Sequence, residues 1–148
     1  METIWKQEGI DLNQLNEDSK KSAVGHLGIV LTKATLNSLT ASMPVDERTT
    51  QPYGILHGGV SCVLAETLGS IAANCAIRNP DMIAVGQEIN ANHIRPVKCG
   101  KVHGTATPIH IGKSSHVWEI KITNDRNKLV CISRLTMAII TKNNKDML

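Results

Sequence analysis

HGGVSCVLAETLGSIAANCAI, residues 57–77, holds a single charged side chain, Glu66, and no other charge occurs between Arg48 and Arg78. Within it Val60, Val63, Leu64, Leu68, Ile71 and Cys75 recur at steps of three and four, the period of an α-helix. The other positions carry Ala65, Gly69, Ala72, Ala73 and Ala76, small enough for another backbone to approach closely. A helix apolar on all sides belongs in an interior. A membrane span fits poorly, because Glu66, Asn74 and the two leading glycines interrupt a short apolar length. Burial strips water from a carboxylate and raises its pKa unless partners compensate, so Glu66 is a candidate for chemistry. The plainer alternative is a side chain that reaches the helix's open edge or pairs with a distant lysine. Ser70 lies four residues on, hence on the same helical face. There it serves either to hold water or substrate, or simply as a small packing residue.

Upstream, Gln51-Pro52-Tyr53-Gly54-Ile55-Leu56 carries turn signals. Gly58 and Gly59 leave the first N–H groups of the helix unobstructed, and such donors, helped by the helix dipole, bind anions or developing oxyanions. His57 stands where it can orient a carbonyl or cap the helix.

Further outward the pattern turns to strands. Residues 27–45 alternate in a Thr-rich, strand-like way that Pro44 ends, and Asp11–Ser19 reads as a short helix with Leu12 and Leu15 on one side. After Arg78-Asn79-Pro80-Asp81 come four strands: Met82–Ile94, Lys101–Ile109, one with Trp118, Ile120 and Ile122 facing one way, and one with Leu129, Cys131, Leu135, Met137 and Ile139. Asn124-Asp125-Arg126-Asn127 makes a hairpin turn between the last two. One buried helix followed by four consecutive strands predicts an α+β fold in which an antiparallel sheet wraps a long central helix. No repeat or linker divides the 148 residues, so a single domain over 1–148 is expected, with a motif-free, flexible tail at 141–148.

Aromatic residues are scarce: two Trp, one Tyr and no Phe. The core therefore rests on aliphatic side chains, and stacking platforms for single-stranded nucleic acid are excluded. The four cysteines (Cys62, Cys75, Cys99, Cys131) include no CxxC pair or close His/Cys cluster, which argues against a metal site or disulfide framework. The N-terminus has acidic residues and no apolar core of a signal peptide, so a cytoplasmic protein is expected, with neither nucleic acid nor membrane as partner. Net charge is +3 but unevenly placed, with six Lys/Arg against ten Asp/Glu in residues 1–89 and ten against three in 90–148. The basic second half suits a phosphorylated small ligand or, more plainly, a solvated lysine-rich face.

Taken together, QPYGILHGG, the uncharged helix and the nine-residue step from His57 to Glu66 resemble the hotdog-fold acyl-CoA thioesterases. The likeness is nearest to the branch of 4-hydroxybenzoyl-CoA and 1,4-dihydroxy-2-naphthoyl-CoA thioesterases (the phenylacetate-type superfamily). MPVDERT, INANHIRPV, the HIGKSSHVW region and SRLTMAI extend it over nearly the whole chain. The resemblance implies an acyl-CoA thioesterase with Glu66 as nucleophile or general base, and the Gly58 N–H polarising the thioester carbonyl. Gln51 and His57 would orient the thioester or the water, and Ser70 would support that water. Gly86, His93, Ile94, Arg95 and Pro96, with His110, Ile111, Gly112, Lys113, Ser114 and Ser115, match positions that line the coenzyme A channel. Arg95 and Lys113 are the candidates for phosphate contacts. No cofactor is implied, coenzyme A being part of the substrate, and an aromatic or medium acyl group is favoured. His26, His103, His110 and His116 show no ligand spacing and read as structural or solvated. Two other activities suit the same fold: an enoyl-CoA hydratase or dehydratase, and a non-catalytic acyl-CoA-binding regulatory module.

Geometry adds an expectation about assembly. A helix rises about 1.5 Å per residue, so Gly58 and Glu66 of one chain stand roughly 12 Å apart along the axis. A carbonyl held at the Gly58 N–H is then out of reach of the same chain's Glu66. Two antiparallel helices resolve this, so a homodimer with shared active sites is expected, pairing into a homotetramer by the family likeness.

Overall fold

The computed structural model describes residues 2–6 and 9–142. Asp11 caps α1 (Leu12–Ser19) by accepting a hydrogen bond from the Gln14 N–H at 3.0 Å. A short α2 (Ala23–His26) follows, opened by Ser22. Then come β1 (Val30–Ala34), β2 (Leu39–Pro44), the long α3 (Gly58–Ala76), β3 (Met82–His93), β4 (Lys101–Ile111), β5 (Ser115–Asn124) and β6 (Leu129–Thr141). The strands form one six-stranded sheet in the order β1-β2-β4-β5-β6-β3, and every neighbouring pair is antiparallel. This is the α+β hotdog fold, with α3 lying across the inner face of the sheet.

Alternation decides which face each strand turns inward. Leu39, Ala41 and Met43 of β2, Trp118, Ile120 and Ile122 of β5, and Cys131, Leu135 and Met137 of β6 have no exposed surface. Against them α3 sets Ser61, Leu64, Ala65, Leu68, Gly69, Ala72, Ala73 and Ala76. The small residues matter for distance. A Cβ on Gly69 would run into the Leu135 side chain, and one on Gly104 would lie 2.6 Å from Leu68 Cδ1. With few aromatics available, Trp5 of the N-terminal segment stacks on Trp118, ring centroids 6.3 Å apart, and donates its Nε1–H to Thr35 O at 2.7 Å.

Three sequence expectations change. The strand-like run 27–45 divides into the hairpin β1–β2, preceded by a helical turn. Thr35 is the reason: its Oγ1 accepts from the Ser38 N–H at 3.1 Å and lies 2.7 Å from Ser38 Oγ, making a side-chain turn inside a Thr-rich sequence that otherwise suits strands. Residues 141–148 are not wholly a tail, because β6 runs to Thr141 and Lys142 Nζ donates to Pro80 O at 2.9 Å; residues 143–148 lie outside those described. Finally, α3 is not buried all round. Cys62, Val63, Glu66, Thr67, Ser70, Ile71 and Asn74 are half-exposed. The physical cause is position: α3 lies along β3, an edge strand, so one flank of the helix is uncovered in the single chain.

One histidine carries a pH expectation. His116 on β5 is 2% exposed, and its Nδ1 has no hydrogen-bond partner among the described residues. Burial pushes its pKa below the ordinary 6.5, the charge of His110 adds to this, and a hydrogen bond with the Gly112 backbone partly opposes it. A lowered folded pKa makes protonation costlier in the folded state. Stability is therefore complete above the ordinary histidine value and declines as pH falls through it. The urea midpoint is expected to fall between about pH 7.5 and pH 5.5 more steeply in the wild type than in His116→Gln. Equal slopes would remove His116 as the cause.

Candidate active site

The loop ahead of α3 is tied down by Thr49, which is fully buried. Its Oγ1 donates to Pro44 O at 2.8 Å and accepts from the Asp46 N–H at 3.0 Å, while its carbonyl takes the His57 N–H at 2.9 Å. Beyond it, residues 51–54 form a turn in which Gly54 adopts φ +71°, a left-handed conformation suited to glycine. Gln51 Oε1 accepts from the Tyr53 N–H at 3.1 Å, leaving the amide NH2 as the free end of the side chain.

His57 is the N-cap. Its Nδ1 accepts from the Gly59 N–H at 2.9 Å, which fixes the ring against the helix start. Both roles weighed for His57 concern this ring, and the capping role is the one its contacts express. The Gly58 N–H, by contrast, donates to no described residue. It faces a cleft of about 430 Å³ lined by Gln51, Ile55, Leu56, Gly58, Ser61, His93, Ile94, Arg95, Pro96 and Val130. His93 closes on Gly58 so tightly that a Cβ there would lie 2.9 Å from His93 Nε2, so only glycine leaves the imidazole its place. Arg95 is exposed at the rim, with Nη1 donating to Leu129 O.

Glu66 and Ser70 stand elsewhere. Ser70 Oγ donates to Glu66 Oε1 at 3.4 Å, and Glu66 extends over Gly86 of β3, where any side chain would collide with Oε1. Just beyond Gly86 the β3–β6 register shifts, between Gly86 and Glu88, a bulge that marks the strand opposite the carboxylate. Burial raises the Glu66 pKa above the usual carboxylate value, and the Ser70 hydrogen bond partly offsets it. Asn74, whose only mark in the sequence is a polar break in the apolar run, holds this part of the helix to the edge strand. Its Nδ2 donates to Ala84 O at 3.1 Å and its Oδ1 accepts from the Ala84 N–H at 3.0 Å. A polar residue four positions after Ser70 on the same face was the available signal.

The expected catalytic and channel residues thus fall into separate groups. Gln51, Gly58, His93, Ile94, Arg95 and Pro96 share the cleft at the start of α3. Glu66, Ser70 and Gly86 meet at its middle. Ile111, Gly112 and Lys113 line a larger cavity, about 960 Å³, near the C-terminal end of α3 with Arg78, Met82 and His116. His110, Ser114 and Ser115 belong to the same β4–β5 corner, where the Gly112 N–H donates to Ser115 O at 2.9 Å. Within one chain these groups do not form a single pocket.

An antiparallel sheet curled round one long helix, with a half-buried carboxylate at mid-helix, places the protein among the hotdog-fold hydrolases of thioesters. The chain belongs to the Thioesterase superfamily, whose family model matches residues 53–131. It is similar to a thioesterase of Haemophilus influenzae, at 47% identity and TM-score 0.90, over 94% of this chain and 96% of that one. A mutant thioesterase of Pseudomonas aeruginosa superimposes with TM-score 0.92 at 46% identity, over 95% of this chain and 100% of that one. Proofreading thioesterase EntH of Klebsiella pneumoniae is 45% identical over 136 residues, 92% of this chain and 98% of its own length. The protein is a thioester hydrolase.

Proposed function

We propose that the chain hydrolyses acyl-CoA thioesters in active sites shared between the two subunits of a homodimer, in the cytoplasm and without metal or other cofactor. The observation that carries the reading is the separation of the two chemical groups. Gly58 offers an unpaired N–H and Glu66 a desolvated carboxylate, yet they stand roughly 12 Å apart on one helix. A second chain with its helix antiparallel brings its Glu66 and Ser70 to this chain's Gln51, His57 and Gly58. The Gly58 N–H then polarises the thioester carbonyl and holds the oxyanion of the tetrahedral intermediate. As general base, Glu66 takes a proton from water as its oxygen bonds to the carbonyl carbon. Collapse breaks the C–S bond, the proton passes to the departing sulfur, and free acid and CoA leave. Glu66 as nucleophile gives the same products through a mixed anhydride that water then opens.

The uncovered edge of β3 supports the dimer, because an unpaired strand edge invites a second strand. An antiparallel partner also brings its Lys113 corner toward this chain's Arg95 cleft, which the basic second half of the sequence suits. Dimers pairing into a tetramer, and an aromatic or medium acyl group, follow the family likeness. For a hydratase the carboxylate would work with an imidazole, whereas the hydrogen-bond partner of Glu66 is Ser70.

Release of thiol from a panel of acyl-CoAs, read with a colorimetric thiol reagent, tests the activity. Release without hydration of enoyl-CoA is expected. Binding with no turnover on any member of the panel would favour the regulatory module. Arg95→Ala and Lys113→Ala should each raise KM for acyl-CoA with little change in kcat, the signature of lost uniform binding. Acyl-pantetheine, which lacks the nucleotide, should be indifferent to both. A matching penalty on the two substrates would refute the phosphate assignment.

A further inference from the structure

The two edge strands of the sheet are each held by an asparagine that reaches across from a helix. On β1, Asn16 of α1 donates from Nδ2 to Leu31 O at 3.0 Å and accepts from the Leu31 N–H at 2.8 Å. On β3, Asn74 of α3 donates to Ala84 O at 3.1 Å and accepts from the Ala84 N–H at 3.0 Å. Each amide exchanges two hydrogen bonds with one residue, as a neighbouring strand would. An edge strand needs such partners, because its outward N–H and C=O groups have no ladder to join. The two clamps differ in what surrounds them. Asn16 serves the far edge of the sheet, at β1. Asn74 reaches the surroundings of Glu66 by two routes. Along the strand, Gly86, over which Glu66 Oε1 lies, is two residues from Ala84. Along the helix, the same Nδ2 donates to Ser70 O at 2.9 Å, and Ser70 Oγ donates to Glu66 Oε1 at 3.4 Å.

The rest of the contact between helix and sheet has no such direction. Leu64, Leu68, Ala72, Ala73 and Ala76 are buried through apolar surface, and apolar attraction is non-directional, so it resists separation more than sliding. Among the described residues, the other hydrogen bond from α3 to the sheet is Ser70 Oγ on Met137 Sδ, at a long 3.8 Å. Resting on the reading of Glu66 as the base, we propose that Asn74 is a positioning residue for the reaction, locking β3 to α3 beside Gly86 and so holding the Glu66 carboxylate in place and shielded from water. Its action passes through Gly86 and Ser70. Without the clamp, β3 moves off the helix next to Gly86 and water reaches the carboxylate. Better hydration favours the charged form, so the base both shifts from its place and weakens. Burial and the Ser70 hydrogen bond set the Glu66 pKa, and the thiol that shares its field is Cys62 on the same helix. Glu88, the next acidic residue of β3, accepts from Asn90 Nδ2 at 3.2 Å, and β6 faces this stretch of the helix with Leu135 and Met137.

Asn74→Leu keeps the side-chain size, removes the amide and leaves both Ala84 groups unpaired. It is expected to lower kcat by about 10- to 100-fold, the cost of a misplaced catalytic group. KM for acyl-CoA should change by less than about twofold, since no substrate contact is lost. The acid limb of its kcat/KM profile should lie at lower pH than that of the wild type. Asn16→Leu breaks the same pair of bonds at the other edge. It is expected to lower the urea midpoint, as Asn74→Leu does, while leaving kcat and the acid limb unchanged. Asn74→Ala, which admits water to Ala84, should show the same two kinetic changes in weaker form, and it carries the test if Asn74→Leu does not fold. Asn74 variants that lose stability but keep the wild-type kcat and acid limb per folded chain would reduce the residue to a structural clamp, and so would equal kinetic losses in Asn16→Leu. Glu66→Gln, assayed alongside, separates the two readings. If it is inactive while the Asn74 variants turn over normally, the positioning role falls and Glu66 stands. If Glu66→Gln turns over normally, the reading of Glu66 as base falls and takes the positioning role with it.

Discussion

Glu66→Gln is expected to lower kcat by at least about 10²-fold, the loss that accompanies removal of a general acid–base group. Glutamine keeps the size of the side chain and can still accept a hydrogen bond from Ser70, so the change isolates the charge. The fold should not suffer. Burial raises the Glu66 pKa, so the ionised side chain disfavours the folded state above its folded pKa, and stability is greatest below the ordinary carboxylate range. At neutral pH the Gln variant should therefore unfold at a urea concentration no lower than the wild type. The same raised pKa places the acid limb of the kcat/KM profile above the usual carboxylate value, with activity falling as Glu66 takes up its proton. Near-normal turnover by a folded Glu66→Gln chain would end the assignment of chemistry to this residue.

Mixing two inactive chains is expected to restore activity. Gln51→Ala/Gly58→Pro removes the cleft amide and the N–H at the first helical position, where the helix backbone accepts proline although the ring displaces the His93 imidazole. Glu66→Ala removes the carboxylate. In a mixed dimer one site collects both defects and the other none. With equal amounts and random pairing, half the dimers are mixed and each has one intact site, so recovery reaches at most about a quarter of wild type. Native mass establishes that exchange has occurred. Mixed dimers that remain inactive would place the whole site within one chain. A crowded Gly58 environment is a reason to include Gln51→Ala alone as a second cleft variant, since a Cβ at Gly58 would meet His93 Nε2 at 2.9 Å.

The helix at the centre of the fold was legible because its period survives burial: Leu64 and Leu68 lie at zero exposure where the three- and four-residue steps put them. The last hairpin was equally plain. Trp118, Ile120 and Ile122 alternate with polar residues, and alternation has one structural reading when one face is covered. The segment 27–45 was less so, since threonine serves both as strand former and as turn maker, and only the Thr35–Ser38 contacts separate the two uses. For the site, the chemical types were readable: a lone carboxylate in an apolar helix, a serine four residues later, and a glycine at the helix start. Asn74 was not, because its value lies in Ala84, ten residues away on another element.

Sequence alone therefore determined the helix, the later strands, the family resemblance and the choice of Glu66 as the candidate carboxylate, because each rests on local spacing or on a residue type that burial makes costly. Tertiary structure decided which groups meet. Gly86 comes under Glu66, His93 closes on Gly58, and the Lys113 corner lies near the far end of the helix. Those meetings depend on the strand order β1-β2-β4-β5-β6-β3, which puts β3 at an edge beside α3 and leaves one flank of the helix open. Strand order is a property of long-range pairing, and no local pattern of residues encodes which edge stays free.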